Sequence, residues 1–420
     1  MTVPASPTQP RAVRRMLAPW HFVVLFGLVS LFADMVYEGA RSIIGPFLAT
    51  LGASAVVVGV AAGVGEFIGY GLRVVSGYLV SRSRHYWTWT IVGYALTVLS
   101  VPLIGVTTAV APALLLYATE RLGKAVRSPA KDTLLSHAST RTGSGSAFGV
   151  HQAMDQAGAV AGPLILAAVL SWRSGDYRTA FAVLALPGVV VLALLFWLRW
   201  RVPDPISYES MGSAVPAGAG PPASATVRRA RQALPRVLWR YMAAVGVLSC
   251  GVASFPLLAY HAQTQGLLTE AQVPVLFAVA MFVDGVSGLV TGRAYDRRGP
   301  RVLLLVPAAA SCAAIAFTAN AVLVWAGVAI WGVVNGILDS TIKAVVTRLV
   351  PPGTRATAFG WLALVRGVGL LLAGAVLGLA YEQSIPLVIG LILTANALAF
   401  WGLWSVLRDP ALAATQRQGD

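Results

Sequence analysis

Apolar stretches of about 20 residues, the length at which a helix crosses a bilayer, follow one another along almost the whole chain. Hydrophobic residues make up 57% of the 420 residues and charged residues only 11%, whereas about a quarter of the residues in soluble domains are charged. A water-soluble fold could not cover this much apolar surface. The pattern therefore predicts an all-α membrane protein with twelve transmembrane helices. The twelve segments are 20–48, 55–80, 87–107, 111–138, 146–171, 179–199, 238–262, 272–292, 302–320, 323–347, 356–380 and 385–407.

One long polar stretch, residues 200–237, interrupts this pattern and is rich in Pro, Gly, Ala and Ser. Such a composition cannot pack a core and is typical of a flexible linker. The linker separates two bundles of six predicted helices. The expected organisation is an N-terminal tail, a first bundle, a cytoplasmic linker, a second bundle and a C-terminal tail, at 1–19, 20–199, 200–237, 238–408 and 409–420.

The net charge of +15 is distributed unevenly between the two sides of the predicted membrane. Arginines crowd the tails, the linker and the loops on the side of the chain ends, while the loops on the other side hold only Arg173 and Arg178. Positive residues accumulate on the cytoplasmic side of membrane proteins. The distribution predicts a multi-pass protein of the cell inner membrane with both termini in the cytoplasm, and it favours contact with anionic lipid over nucleic acid.

The residue types needed for catalysis or metal binding show no pattern. Cys250 and Cys312 both lie in apolar stretches and predict neither a disulfide nor a metal site. The five histidines are scattered without ligand spacing, and no nucleotide-binding loop is present. We therefore expect no cofactor, no metal and no enzymatic activity.

The two predicted bundles share short sequence matches, as many transporters with internal repeats do. Residues 77–84 after the second segment align with residues 292–301 after the eighth. The tripeptide at 147–149 recurs at 358–360, an offset of 211 residues. These matches fall at equivalent places in the six-plus-six arrangement.

The loop after the eighth segment resembles the cytoplasmic-loop motif of the major facilitator superfamily, and the resemblance covers essentially the whole chain. It implies two pseudo-symmetric six-helix bundles and transport by alternating access. In the family, the acid and arginines of this motif form ion pairs that lock the cytoplasmic side when the transporter faces outward; a plain basic loop is the alternative. The first copy departs from the pattern, with Ser81 where an acid is usual. The motif residues are Gly292, Asp296, Arg297, Gly299 and Arg301.

The fifth segment carries Gly158-x-x-x-Gly162-Pro163. This string resembles the signature of the drug/proton antiporter branch of the superfamily. Small residues four apart let helices approach closely, and proline bends a helix. Ordinary helix packing would produce the same string, but the resemblance favours efflux.

Carboxylates inside the predicted membrane are the candidate proton carriers. Asp34 and Glu38 lie one helical turn apart in the first segment. Two acids at this spacing disfavour double ionisation, so one of them is expected to hold a proton. Glu66 and Asp155 are the next candidates.

Further polar residues in the segments predict a substrate-binding cavity, because buried charges are costly unless they face water or a partner. Static ion pairs between helices are the alternative, and for Asp339 an internal pair with Lys343 is expected. The fourth segment has Glu120, Lys124, Arg127 and Lys131 on one face. The predicted cavity residues are Arg41, Tyr37, Tyr70, Arg73, Glu120, Arg121, Lys124, Arg127, His151, Asp284, Asn335, Asp339 and Arg366.

Together these features predict a monomeric secondary transporter that exports a small organic molecule or drug in exchange for protons. A proton-coupled importer of a small organic acid or sugar would use the same fold and remains the alternative.

Overall fold

The computed structural model describes residues 17–139, 142, 144–205, 207–210, 234–350 and 354–409, and within these ranges all regular structure is helical. The tail arginines and the linker centre, 211–233, lie outside the described residues. The helices of the first half are α1 (Pro19–Thr50), α2 (Ala55–Ser83), α3 (Tyr86–Ile104), α4 (Val110–Ser139), α5 (Ser144–Trp172), α6 (Tyr177–Val183), α7 (Ala185–Arg201) and α8 (Ser207–Ser210). Those of the second half are α9 (Arg236–Cys250), α10 (Phe255–Thr264), α11 (Gln272–Arg298), α12 (Leu305–Ala313), α13 (Ala321–Leu349), α14 (Arg355–Gln383) and α15 (Ile385–Leu407).

Ten helical segments in the described part of the chain are long and apolar enough to cross a membrane. They make the chain a multi-pass membrane protein, as its composition predicts. Helix α4 is not among the ten, because charged residues recur along it. A single run of 46 residues, Gln272–Phe317, covers two of the predicted segments. The count of twelve spans therefore stays a prediction.

Each half of the chain has its own hydrophobic core. The first core extends further into the predicted linker than the sequence indicates, because Val202 is fully buried and Tyr208 is only 2% exposed. The Trp87 indole donates a hydrogen bond to the Val202 carbonyl at 3.0 Å, and the Tyr208 hydroxyl donates one to the Leu17 carbonyl at 2.9 Å. The described part of the linker up to Tyr208 is thus packed against the first half.

Helices α2 and α14 form the most extensive contact between the halves. They run antiparallel, and small residues face each other along them. An added Cβ at Gly63 would lie 2.9 Å from Leu371 Cα, and one at Gly378 would lie 3.0 Å from Ala55 O. Because only glycine leaves room for such close backbones, these positions set the separation of the two helices.

The two halves meet on one side of the molecule more closely than on the other. We call the side where α1 begins and α15 ends the terminal side. On the opposite side, α10 packs against α1 and α2 of the first half, and the Tyr177 hydroxyl donates to Gln263 at 3.1 Å. On the terminal side, α9 packs against α13, α14 and α15 of its own half. The structure is therefore closed between the halves on the opposite side and more open on the terminal side.

Candidate substrate and proton site

The polar face of α1 is formed by Asp34, Tyr37, Glu38 and Arg41, at successive helical turns. Arg41 is half-buried and the other three are buried. Residues three and four apart share one face of a helix, which is the arrangement that the sequence predicts. This face turns towards α2, α4 and α5, not towards the outside of the bundle.

An ion-pair network joins this face to α2 and α4. The Arg41 guanidinium lies 2.8 Å from Glu66 Oε1 and 3.6 Å from Glu38 Oε2. Glu66 also lies 3.7 Å from the Arg121 guanidinium. Glu66, one of the predicted proton carriers, is thus already neutralised by two guanidinium groups.

Arg121 and Glu120 form a buried pair behind this network. Arg121 Nε lies 2.8 Å from Glu120 Oε2, which is an ion-pair distance, but the N–H is not aligned for a hydrogen bond. The guanidinium also lies 5.2 Å from the centre of the Tyr117 ring. Both charged side chains are fully buried, so this pair lies inside the first half and not on an open surface.

The Tyr37 ring holds two further cations of α4. Lys124 Nζ lies 4.2 Å and the Arg127 guanidinium 5.0 Å from the centre of this ring. Lys124 also lies 3.7 Å from Glu38 Oε1, whereas Arg127 rests on a second ring, Tyr94, at 4.3 Å. Cations bind to the faces of aromatic rings through the ring quadrupole. Arg127 is therefore held by aromatic contacts, and none of the described carboxylates lies at ion-pair distance from it.

Asp34 differs from the other acids of the first half. It is 8% exposed and forms no ion pair or hydrogen bond with any residue that the structure describes. The charges that act on it come from Asp155, Lys124, Glu38 and Arg127. Asp34 is thus a carboxylate without a direct counter-ion, placed between two other acids and two bases.

Asp155 belongs to a cluster on α5. It lies 3.6 Å from His151 Nδ1 and 3.8 Å from Lys131 Nζ. The other ring nitrogen of His151 lies 3.3 Å from the Ser30 hydroxyl of α1. The three bases of the predicted stripe of α4 are therefore divided among partners on α1, α3 and α5, whereas Glu120 pairs with Arg121 of α4 itself.

The two glycines of the fifth segment press α5 against α1 beside this cluster. An added Cβ at Gly158 would overlap the Leu31 carbonyl oxygen and lie 3.0 Å from Asp34 Cβ. One at Gly162 would overlap the Met35 carbonyl oxygen. Pro163 follows inside the same helix. Close packing of α5 at the level of Asp34 thus depends on these two glycines.

In the second half, Arg366 of α14 pairs with Asp339 of α13 at 3.0 Å. The expected internal pair of Asp339 with Lys343 is wrong. The physical reason is that α14 brings a guanidinium across to Asp339, while the Lys343 side chain is exposed. Asn335, one turn before Asp339, donates to the Trp331 carbonyl at 2.9 Å.

The two sets of charges face each other between the halves. The charges acting on Asp284 of α11 come from Asp339 and Arg366 in its own half and from Glu38 and Arg41 in the first half. Tyr70 of α2 has Arg73 at 5.2 Å and Arg366 at 4.9 Å from its ring centre. Residues of both halves thus surround one polar region. No group of three or more His, Cys, Asp or Glu among the described residues is placed to hold a metal ion.

The sequence profile described as Major Facilitator Superfamily matches residues 114–374 of the chain. The chain belongs to the major facilitator superfamily. An uncharacterized protein of Mycobacterium tuberculosis is 44% identical over 403 residues, which is 96% of each chain. An uncharacterized transporter of this superfamily from Methanocaldococcus jannaschii is 22% identical and covers 86% of this chain and 89% of its own.

Solved structures show the same superfamily fold. A point mutant of the nucleoside transporter NupG superposes with a TM-score of 0.72 at 10% identity, over 92% of this chain and all of that chain. A bacterial homologue of the human lysosomal transporter Spinster, in an inward-facing and unoccupied conformation, gives 0.71 at 15% identity, over 93% and 98% of the two chains. At this identity the likeness concerns the fold alone. A chain of this superfamily is a membrane transporter and not an enzyme, and it works by alternating access.

The loop motif of the superfamily lies at the end of α11 on the terminal side. Gly299 has a φ of +69°, which glycine adopts without the steric cost that other residues incur. The Arg293 guanidinium donates to the Leu289 carbonyl of its own helix, and Arg348 lies 5.0 Å from the centre of the Tyr295 ring. Asp296, Arg297 and Arg301 form no ion pair with described residues.

Several residues of the site carry no signal in a single sequence. Tyr94 and Tyr117 hold the arginines of α4, but an aromatic residue in an apolar segment is indistinguishable from a core residue. Gln156 of α5 donates to the Met281 carbonyl of α11 and so joins the halves. The only sequence signal that could have predicted a role for Gln156 is its position next to Asp155 in a polar part of α5.

Proposed function

We propose that this chain is a proton-coupled antiporter that exports a small organic molecule from the cytoplasm. Twelve spans would form two six-helix bundles that rock around the polar region between them, and a single chain would suffice. The terminal side would be cytoplasmic, with both termini inside and the protein in the cell inner membrane. The arginine-rich loops on that side support this orientation.

The observation that carries the proposal is Asp34. A buried carboxylate without a counter-ion is costly as an anion, so it is suited to bind a proton in one state and release it in another. Glu38 lies one turn away and is held only by longer contacts, at 3.6 and 3.7 Å, to Arg41 and Lys124. Asp155 acts on Asp34 from α5. Glu66, with its two guanidinium partners, is the least suited of the four candidates.

Antiport requires that the proton and the substrate occupy the cavity in turn. Gly158 and Gly162 bring α5 into direct backbone contact with α1 at Asp34, and α5 also packs on α11 of the other half. A change in the protonation of Asp34 would therefore act on α5, the helix that packs against both bundles. This arrangement supports a coupling role for the glycine pair.

The test uses inside-out vesicles with an acidic lumen and a dye that reports the pH gradient. Addition of ethidium, benzoate or uridine from outside should release protons from vesicles that contain the wild-type chain. Asp34→Asn and Glu38→Gln should abolish this response and leave the protein folded. Glu270→Gln, an exposed acid between α10 and α11, should behave as the wild type. Proton release that survives in both Asp34→Asn and Glu38→Gln would remove the assignment.

A proton-coupled importer of a small organic acid is the second candidate, and the surplus of guanidinium groups near Tyr70 favours it. The same vesicles separate the two directions. An importer would move protons outward only when the solute is loaded in the lumen, whereas the antiporter responds to solute added outside.

A further inference from the structure

In the polar region between the halves, two arginines lie against one tyrosine ring, and one of them has no ion-pair partner among the described residues. Arg73 of α2 and Arg366 of α14 both lie against the ring of Tyr70, at 5.2 and 4.9 Å from its centre. One arginine comes from each half of the transporter. We propose that Arg73 and Arg366 bind an oxyanion, a carboxylate or a phosphate, on the transported small molecule. This inference rests on the proposed transport function, because it names the substrate class of that cavity.

The charges around Tyr70 do not balance. Arg366 has Asp339 at 3.0 Å, whereas Arg73 forms no ion pair with any described residue, and its Nε is buried without a hydrogen-bond partner. Glu66 also acts on this ring, but Arg41 and Arg121 already neutralise it. Two guanidinium groups thus lie against one ring, and of the two only Arg366 has a carboxylate partner among the described residues. The local surplus is therefore one positive charge, and an anionic ligand would remove it.

The partner of Arg366 can be replaced by a ligand. The Asp339 side chain is 59% exposed, while the Arg366 side chain is only 13% exposed. An exposed carboxylate can swing into water, whereas the guanidinium stays on the Tyr70 ring. Guanidinium groups bind carboxylate and phosphate through two parallel N–H···O bonds. A substrate oxyanion could therefore take the place of Asp339 and contact Arg73 at the same time.

The position of the pair in the membrane fits a transported ligand. Arg73 lies ten residues before the terminal-side end of α2, and Arg366 lies eleven residues after the start of α14. Both helices have 29 residues, so at about 1.5 Å per residue the two arginines lie about 5 Å from the helix midpoints, on the terminal side, and well inside a hydrocarbon core of about 30 Å. Substrate sites of transporters lie near this midplane, between the repeats. A plain topology signal would place the arginines at the loops instead.

The other cations of the cavity are less available. Arg41 and Arg121 pair with carboxylates, Lys124 contacts Glu38 and Tyr37, and Arg127 is buried between two tyrosine rings. An anion bound by both Arg73 and Arg366 would also draw α2 and α14 together. Binding of the anion would thus directly stabilise the contact between the two halves.

The experiment measures equilibrium binding to the purified full-length chain in neutral detergent, so it does not depend on proton coupling. Inorganic phosphate and benzoate are titrated separately at constant ionic strength, with sodium chloride as the reference, and binding is followed by calorimetry. At least one of the two should bind to the wild type, and Arg73→Gln and Arg366→Gln should each weaken that binding at least tenfold. Arg73→Lys, which keeps the charge but not the planar fork, should retain part of it.

Arg240→Gln is the matched control, because Arg240 also forms an arginine–aspartate pair, with Asp409 at 2.9 Å, but at the terminal-side edge. It should bind like the wild type. The proposal would be overturned if the wild-type chain bound neither probe more strongly than chloride. It would also be overturned if Arg73→Gln and Arg366→Gln bound the probe as tightly as the wild type. Displacement of the bound probe by phosphatidylglycerol would overturn it in favour of a lipid headgroup site. Loss of proton release in vesicles with anion binding intact would count against the proton assignment alone.

Discussion

Replacing Gly59 by alanine tests whether the contact of α2 with α14 holds the opposite side closed. Gly59 lies one turn inside the opposite-side end of α2. An added Cβ there would overlap the carbonyl oxygen of Gly374 and lie 3.3 Å from Gly378 Cα. The obstructing atoms belong to the backbone of α14, so no side-chain rotation can relieve the overlap.

The cost of this overlap sets the expected size of the effect. Carbon atoms prefer separations of about 3.5–4.0 Å, so α2 and α14 must move apart by about 1 Å at this level. Overpacking of this kind costs about 1–3 kcal/mol. If the cost falls on the closed state alone, the population ratio of the two transport states shifts by a factor of about 5–150 towards opening on the opposite side.

The assay measures the distance between two spin labels on the opposite side. The labels are attached through Thr108→Cys in the first half and Ala319→Cys in the second half, both at exposed loop positions, after Cys250→Ser and Cys312→Ser. The control is Gly69→Ala in the same helix, where an added Cβ meets nothing within 4 Å. Both variants change helix propensity equally, by about 1 kcal/mol, so only the steric effect differs.

In Gly59→Ala, the distribution of distances between the two spin labels should gain a longer-distance population or show a larger one. Gly69→Ala should give the same distance distribution as the wild type. Identical distributions and equal unfolding temperatures for the two variants would refute the reasoning. In that case the glycine contact would not limit the approach of the two halves.

Two further predictions concern residues outside the membrane-spanning segments. Tyr208→Phe removes a buried hydroxyl that donates to the Leu17 carbonyl at 2.9 Å, and burial raises the pKa of Tyr208 to about 12. Loss of this hydrogen bond should reduce the free energy of unfolding by about 1 kcal/mol and lower the unfolding temperature. The control Tyr78→Phe, at an exposed tyrosine, should leave the unfolding temperature unchanged. Hydrogen bonds from the Thr179 side chain and backbone hold the pKa of Asp176 below its usual value, so the stabilisation is present at neutral pH and is lost as the pH falls through the lowered pKa. Asp176→Ala should therefore reduce stability by about 1 kcal/mol at pH 7, and the difference in unfolding temperature from the wild type should shrink as the pH falls below the ordinary pKa of an aspartate. A difference that does not change with pH would contradict this.

Much of the architecture could be predicted because the bilayer makes strong demands on sequence. A span needs about 20 apolar residues with every backbone group bonded internally, so helices such as α1 and α15 are visible directly. The family could also be recognised from a spaced glycine, acid and arginine motif in one loop. The limits of the linker were harder to predict, because Val202 and Tyr208 become buried only through contacts with Trp87, Phe22 and Leu17.

The sequence by itself determined the class of protein, the family and the set of charged residues that enter the membrane. Apolar length and charge placement are properties of each segment alone, so they can be read without knowing the neighbours. Only the tertiary structure decided which charges neutralise each other. Glu66 pairs with Arg41 and Arg121, and Asp339 pairs with Arg366 and not with Lys343. Asp34 and Arg73 have no ion-pair partner in the part of the chain that the structure describes. Pairing depends on distances of a few ångströms between side chains on different helices, and helix packing, not sequence spacing, sets those distances.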